Sequence, residues 1–466
     1  MVKIMRVGFS LRGIGNGLRK LTAKLTRDPD TLLIFSIFVP VFIDMILNNL
    51  ISTFHSYFVA DLGDSAISAV GLSGQISGLL ITLFSSLCSA VTVVVSQYKG
   101  AGDMVGAKKC VSQTLFTVFL ISSIIGFIFF NFAEILFDLI FAGTEESIRV
   151  LAVEYIKYLA VSLPFYGMFQ CYCTSSRGLG DNKVPIVISV SGSVLNLIVS
   201  FVTIKLMRLG IAGAGIGLIL SRLFSAAIGT VIFLKRGWLA GFADTVKLNL
   251  KLMGSVISLG FMISSETIIV NVGAMIKTNF LVPYGSAHFA ANSITSTFNS
   301  LCQVPLSVFG VVAVTLVGRY IGANDEEEAK QILNKIIKFA YALYGTIMVC
   351  AFFILPFIYP AYTKSEETLS LLRQLLIVNF IMMTPVLPGL NIMLSGFKAA
   401  GDAKFSTLVS VTCMWVVNVG MGFVLVSIFK LGVVGMVISA NLSAIAKFIV
   451  MIVRKRSGRW IHQKMI

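Results

Sequence analysis

The chain has 466 residues, of which 56% are hydrophobic and only 12% are charged, and its formal net charge is +16. A polar shell around a soluble core cannot be built from this composition, so it excludes an ordinary soluble globular domain and indicates a membrane protein that crosses the bilayer several times. The basic excess does not indicate nucleic-acid binding, because membrane topology and contact with anionic lipid explain it.

The first 30 residues form a basic arm in which Lys and Arg alternate with spaced apolar residues. The arm lacks a long apolar core and a small-residue cleavage site, which excludes a signal peptide. We expect either a helix lying on the inner leaflet or a solvated lead-in to the first membrane span. Asp30 stands where the N-cap of that span is expected.

Twelve apolar stretches follow, each long enough to cross the roughly 30 Å hydrocarbon core, which takes about 20 residues of helix. They predict transmembrane helices at residues 31–59, 66–97, 110–132, 149–173, 184–205, 211–234, 253–282, 288–318, 332–357, 367–395, 404–428 and 432–453. Lys and Arg concentrate in the arm, in the loops after even-numbered spans and in the tail at 454–466. The positive-inside rule therefore predicts a multi-pass protein of the cell membrane with both termini in the cytoplasm.

The second half of the chain repeats the first at an offset of 222 residues. This offset places Asp44 on Glu266, Asn49 on Asn271 and His55 on Lys277, and an offset of 221 places Arg177 on Lys398. The repeat predicts an all-α protein of two six-helix lobes, an N-lobe at 31–234 and a C-lobe at 252–453, joined by a cytoplasmic loop at 235–251. Six spans per copy give both copies the same orientation, a parallel repeat in which we expect the substrate path between the lobes.

Two carboxylates lie deep inside predicted spans, Asp44 in the first span and Glu266 in the seventh. A charged side chain in the hydrocarbon costs several kcal/mol unless it has a partner or faces a cavity, so an intramembrane acid is a functional hypothesis by default. Burial favours the protonated form of a carboxylate, which allows it to exchange a proton near neutral pH. We therefore predict that Asp44 and Glu266 couple transport to an ion.

Other polar side chains lie on the same helices. On a helix, Asn48, Ser52 and His55 share a face with Asp44, and His55 is a third candidate for ion coupling. Residues that we predict to line the substrate cavity are Asn48, Asn49, Ser52, Asn196, Asn271, Lys277 and Asn292. Hydrogen bonding between helices is the alternative for the Asn and Ser side chains, and reaching toward the interface is the alternative for Lys277 and His55.

The sequence contains no motif of an enzyme. HExxH, GxSxG and GxxxxGK[ST] are absent, and the GxGD segments at 100–103 and 178–181 connect membrane helices instead of a strand and a helix. We predict helix N-caps at Asp103, Asp181, Asp325 and Asp402. Without a nucleotide site, transport has to use an ion gradient, so we predict no cofactor and no bound metal, only a coupling ion, H⁺ or Na⁺.

Six segments together resemble the multidrug and toxic compound extrusion (MATE) family. They are LGDSAISAVGLS (62–73), VSQYKGAGDMVGAKK (95–109), SSRGLGDNKVPIVISVSGSVLNLIV (175–199), LGIAGAGIGLILSR (209–222), TLVGRYIGANDEEEAK (315–330) and GFKAAGDAKFSTLVS (396–410). The resemblance implies two six-helix lobes around a V-shaped central cavity and export of cationic or amphipathic compounds in exchange for H⁺ or Na⁺.

The chain departs from that family at several places, among them Asn418 and Asn441, which replace charges expected in one bacterial subgroup. The acid that many members carry in span 1 is replaced by His55, and the span 10 segment VLPGLNIMLSG (386–396) has no carboxylate. Glu266 matches an acid that is common at the start of span 7. The missing span 10 acid favours protons over sodium.

Two functions are consistent with these residues. The first is an exporter of small cationic or amphipathic compounds that exchanges them for H⁺, with a kink at Pro40 in span 1. The alternative is a flippase or exporter of a lipid-linked precursor, a specific metabolite or a peptide. In both cases the partners are the lipid bilayer and a small substrate, and we expect a monomer.

Overall fold

A computed structural model describes residues 28–60, 64–141, 145–239, 241 and 250–461. For residues 48–60, 64–67, 250–253, 255 and 282 it describes the backbone alone. Nearly all of the predicted arm, most of the predicted inter-lobe loop and the end of the tail after residue 461 lie outside the described residues.

Six long helices form the described part of the N-lobe. They are α1 (Pro29–Ala60), α2 (Asp64–Gly100), α3 (Met104–Asn131), α4 (Glu146–Gly178), α5 (Lys183–Ser200, continued by the π-helical segment Phe201–Leu206) and α6 (Ile211–Lys235). A short helix, Ala133–Ile140, lies between α3 and α4.

The C-lobe repeats this order. Its helices are α7 (Leu250–Asn279), α8 (Gly285–Gly322), α9 (Glu326–Tyr362), α10a (Glu366–Met383) with α10b (Leu387–Ala399), α11 (Ala403–Thr412, continued as far as residue 428 by two π-helical segments, Cys413–Gly420 and Val424–Ile428) and α12 (Gly432–Arg456).

The prediction of twelve membrane helices is confirmed. Ten described helices are each long and apolar enough to cross a bilayer, and α10a and α10b together form an eleventh, bent span. The twelfth is α4, which has 33 residues and carries Glu146, Arg149, Glu154 and Lys157 in its first turns. The regular secondary structure of the described residues is entirely helical.

The tenth span is broken, which the sequence interpretation of a continuous span at 367–395 did not predict. The axes of α10a and α10b differ by 53°. Pro385 lies in the break and Pro388 lies in the first turn of α10b, so two backbone donors are missing within four residues. At the 221-residue offset the N-lobe has Pro164 and Gly167 there, and α4 continues through its single proline.

Acidic side chains cap several helices at the turns between spans. Asp103 accepts a hydrogen bond from the backbone N–H of Gly106, and Asp325 accepts one from Glu328, as predicted. Asp181 accepts a hydrogen bond from the N–H of Lys183, although Asn182 is the N-cap residue of α5.

Asp402 is the N-cap residue of α11, as predicted, although its carboxylate makes no cap hydrogen bond and instead binds Arg454 at 2.9 Å. The N-cap predictions for Asp181 and Asp30 were wrong, because the N-cap of α5 is Asn182 and Asp30 lies inside α1. At α1 the helix begins at Pro29, and Asp28 accepts hydrogen bonds from the Asp30 N–H and the Thr31 hydroxyl. Asp402 and Asp30 each lie near a base, which binds a carboxylate more strongly than a backbone N–H does. Asp30 is 2.8 Å from Lys335.

The first helix of each lobe packs against the other lobe. Ile34, Phe38 and Val41 of α1 are buried among apolar residues of α8 and α9, and the Phe38 and Phe309 rings are 4.4 Å apart. Val256 and Leu259 of α7 are buried in an N-lobe cluster with residues of α2. This reciprocal packing joins the lobes at the end of the bundle where α2, α4, α8 and α10b terminate. We call it the basic end, because its loops carry the Lys and Arg clusters.

Candidate functional site

Each lobe holds one buried carboxylate against one base. Arg177 Nη2 lies 3.5 Å from Asp44 Oδ2, and Lys398 Nζ lies 2.9 Å from Glu266 Oε2. The carboxylates are nearly inaccessible, with 5% of Asp44 and 8% of Glu266 exposed. The acids are related by the 222-residue offset and the bases by the 221-residue offset, so the two ion pairs are copies of one arrangement.

A hydroxyl completes each pair. Ser189 of α5 donates a hydrogen bond to Asp44, and Thr407 of α11 donates one to Glu266 at 3.0 Å. The helices are equivalent, but the residues are not: the offset carries Ser189 to Ser410, about one helical turn after Thr407. In both lobes a base and a hydroxyl thus bind the carboxylate and compensate for the burial of its charge.

Both bases also face a cavity between the lobes. The cavity has a volume of about 400 Å³ and is lined by residues of α2, α4, α7, α8 and α10b, among them Arg177 and Lys398. Three further pairs in which both lining residues are polar are related by the repeat: Ser85 and Ser307, Gln170 and Asn391, and Thr174 and Ser395. The lining includes two bases and many neutral polar groups, while Asp44 and Glu266 lie behind the bases.

The lobes close tightly at the basic end of this cavity. A Cβ on Gly100 would collide with the carbonyl oxygen of Arg319, and one on Gly322 would collide with the carbonyl oxygen of Gln97. These contacts are themselves related by the 222-residue offset. On α2 and α8 they lie one to two turns beyond the last cavity-lining residues, so they form the floor of the cavity.

Polar contacts between the lobes reinforce this floor. Gln97 Nε2 donates a hydrogen bond to the carbonyl oxygen of Ala399 at 2.8 Å. Lys335 of α9 lies 2.6 Å from Asp28 and 2.8 Å from Asp30, at the start of α1. The hydrogen bond from Lys335 lowers the pKa of Asp28, so the pair is fully charged at neutral pH. Opening the basic end would have to break these contacts.

The residues predicted from the sequence lie in different surroundings. The side chains of Asn48, Asn49, Ser52 and His55 are outside the described residues. Asn196 accepts a hydrogen bond from Ser200 in its own helix, Asn271 is exposed and Asn292 is half-buried. None of these three is among the residues that line the cavity.

Lys277 is buried within the C-lobe, away from the cavity lining. Its Nζ donates to Asn418 Oδ1 at 2.9 Å and to the carbonyl oxygen of Met436 at 3.4 Å. Asn418 in turn donates to the sulfur of Met414. Lys277 therefore joins α7 to α11 and α12 through neutral acceptors.

Sequence reasoning did not assign a role to Arg177 or Lys398. The signal was present, because both were landmarks of the repeat and both lie in the last turn of a span. Ser189, Thr407 and the polar cavity residues carried no such signal, since Ser and Thr are common in membrane helices and their direction depends on the packing of the lobes.

A duplicated bundle of twelve membrane helices with a polar cavity between its halves is the architecture of a membrane transporter. The MatE family model matches the chain twice, at residues 40–202 and 263–424, which together are more than half of the chain. The chain belongs to the MatE family of membrane transporters, which are not enzymes. The two matched segments also confirm the internal repeat.

Individual proteins agree with this assignment. The probable multidrug resistance protein YoeA of Bacillus subtilis is 26% identical over 382 residues, covering 80% of this chain and 82% of the relative. The Vibrio cholerae MATE transporter VcmN, in its bent form, superposes with a TM-score of 0.84 at 19% identity, covering 95% of this chain and 100% of that chain. A MOP superfamily transporter from Pyrococcus furiosus superposes with a TM-score of 0.82 at 21% identity, covering 94% of this chain and 98% of that chain.

Proposed function

We propose that this protein exports small organic compounds, cationic or amphipathic, in exchange for H⁺, by alternating access between its two lobes. The observation that carries the proposal is the repeat-related pair of buried carboxylates, each held by a base that faces the inter-lobe cavity. Kinship with a probable multidrug resistance protein supports the export of organic compounds.

The two ion pairs suggest how protons expel a substrate. While Asp44 and Glu266 are ionised, each pair is neutral and the cavity carries no net charge from them. Protonation of both acids leaves Arg177 and Lys398 as two uncompensated positive charges on the cavity wall. Two like unit charges 4 Å apart repel each other by about 4 kcal/mol at an effective dielectric constant of 20. A cation bound in the cavity would therefore be repelled by these bases. Proton binding and cation binding then oppose each other, as an antiporter requires.

Protons suit this site better than sodium. A sodium ion needs several oxygen ligands, whereas each carboxylate here already shares its oxygens with a base and a hydroxyl. A base that touches the carboxylate would also repel a metal cation that approached it. A proton needs only one oxygen and releases the base as it binds.

The direction of transport follows from topology. We propose that the basic end is cytoplasmic, with both termini on that side, in keeping with the positive-inside rule. The structure would then be open toward the outside, because the lobes meet at the basic end. One chain contains both lobes and the whole cavity, so a monomer in the cell membrane suffices.

Transport in proteoliposomes tests this function. Efflux of ethidium, a fluorescent organic cation, would be followed under a pH gradient without sodium and under a sodium gradient at constant pH. We expect efflux with the pH gradient alone, and its loss in Asp44→Asn and Glu266→Gln. Efflux that needs sodium would contradict the assignment of H⁺ as the coupling ion. Unchanged efflux in both variants would contradict the role of the carboxylates.

A second candidate is an exporter or flippase of a substrate with an anionic group, such as a lipid-linked precursor. One observation favours it: both charged side chains in the cavity lining are bases. The Pyrococcus furiosus transporter is described as having a binding pocket of reverse polarity that suggests a different function. An anion would compete with Asp44 and Glu266 for the two bases, so it would bind together with protons instead of against them.

The sign of proton exchange separates the candidates. Purified protein in weakly buffered detergent solution would be mixed with ethidium or with the anionic dye carboxyfluorescein, and the pH change recorded. The first function predicts proton release when ethidium binds. The second predicts that ethidium does not bind and that carboxyfluorescein binds with proton uptake.

A further inference from the structure

A second cavity lies in the C-lobe at the basic end. It has a volume of about 410 Å³ and is formed by α9, α10b, α12 and the segment after α12. Tyr341 and Phe448 approach each other over Gly389, where a Cβ would meet both side chains. Trp460, which stacks on Phe397 at 5.1 Å, lines the cavity next to α12.

The lining of this cavity is divided between charge and apolar surface. Lys330, Lys455 and Arg456 supply three bases, and the lining includes no carboxylate. The remaining side chains are chiefly apolar or aromatic: Ile337, Tyr341, Met393, Phe448, Ile452 and Trp460. Two of the bases have neighbours, since Lys330 pairs with Glu327 and Lys455 donates to Asn334. No carboxylate within the described ranges forms an ion pair with Lys455 or Arg456.

Helix α10b separates this C-lobe cavity from the inter-lobe cavity. Gly389 and Met393 face the C-lobe cavity, while Asn391, Ser395 and Lys398 face the inter-lobe cavity. The residues on each face are three or four apart, as expected for opposite sides of one helix. The Tyr341 hydroxyl donates to the carbonyl oxygen of Pro385 at 2.8 Å, so the same wall includes the break before α10b.

We propose that this cavity binds an acidic phospholipid from the leaflet at the basic end. Three bases at the membrane surface match a phosphate headgroup, and the apolar part of the lining matches the upper acyl chain. This site is separate from the inter-lobe cavity and would bind neither the substrate nor the coupling ion. A bound lipid would contact α10b on the side opposite Lys398, and could thereby shift the C-lobe ion pair.

Quenching of Trp460 fluorescence by brominated lipid tests the proposal. The full chain with Trp238→Phe and Trp415→Phe would be placed in nanodiscs containing brominated phosphatidylglycerol or brominated phosphatidylcholine at equal mole fraction. We expect stronger quenching by phosphatidylglycerol, and an apparent affinity about five-fold weaker for each base removed in Lys455→Gln and Arg456→Gln.

The matched control is Lys108→Gln, because Lys108 is the repeat counterpart of Lys330 in the N-lobe. It should leave the quenching unchanged, whereas Lys330→Gln should weaken it. Equal quenching by both lipids would overturn the proposal, as would full affinity in Lys455→Gln/Arg456→Gln protein that elutes and unfolds like the parent. Complete relief of quenching by millimolar inorganic phosphate would show a site for small anions and would equally overturn the lipid assignment.

Discussion

Arg177 and Lys398 occupy equivalent positions in the two lobes, and each joins a buried carboxylate to the wall of the same cavity. Neither acid is therefore an isolated charge within its membrane span. In the proposed mechanism each acid exchanges its base for a proton, so proton binding would change the charge of the cavity without either acid entering it.

Removal of a base should destabilise the protein more than removal of the whole pair. Arg177→Gln removes the base that compensates the buried Asp44 carboxylate, and we expect a loss of roughly 1–3 kcal/mol in the free energy of unfolding. Adding Asp44→Asn should recover part of that loss, because no buried charge is then left unpaired. Thermal unfolding in detergent measures both variants and Asp44→Asn alone.

The same comparison of single and double variants, a double-mutant cycle, applies to Lys398→Gln and Glu266→Gln in the C-lobe. Additive effects in both lobes would show that the acids and bases do not interact energetically.

A bulky residue at the floor of the cavity should prevent closure of the basic end. Gly322→Leu would place a side chain against the backbone of Gln97, so we expect the population to move toward a state that is open at this end. Distances between spin labels on α2 and α8 near the basic end would increase. Gly345→Leu is the matched control, since nothing lies within 4 Å of a Cβ there. Unchanged distances in Gly322→Leu would show that these contacts do not hold the basic end closed.

Lys277 should act on stability and not on substrate affinity. Lys277→Met leaves Asn418 Oδ1 and the Met436 carbonyl without their charged donor, which should cost about 1–3 kcal/mol. Lys277→Met/Asn418→Leu should recover part of this loss, because both polar partners are removed together. Binding of ethidium, followed by its fluorescence, should change less than two-fold in either variant. A large loss of affinity at unchanged stability would place Lys277 in the substrate site.

The sequence was sufficient to locate the helices and to place the two acids within membrane spans. Long apolar stretches, and a carboxylate within them, have few alternative positions in a membrane protein. It was insufficient for the break in α10. Pro164 and Pro385 are repeat counterparts, yet only the second interrupts its helix, since Pro388 removes another donor.

The cavity lining was missed for a different reason. The pairing of Ser85 with Ser307 and of Gln170 with Asn391 is visible only when the repeat offset is combined with the way the lobes face each other. Helical periodicity shows which residues share a face, but it does not show whether that face meets lipid, the same lobe or the other lobe. Arg177 and Lys398 could have been found by searching the repeat for bases as well as for acids.

The number of protons released on ethidium binding measures whether the two ion pairs couple the substrate to protons. Purified wild-type protein, Asp44→Asn, Glu266→Gln and the double variant would be titrated with ethidium in weakly buffered solution, with intact folding checked by thermal unfolding. If the two ion pairs carry the coupling, the wild type releases protons, each single variant releases fewer and the double variant releases none. Release from the double variant equal to that of the wild type would contradict the account.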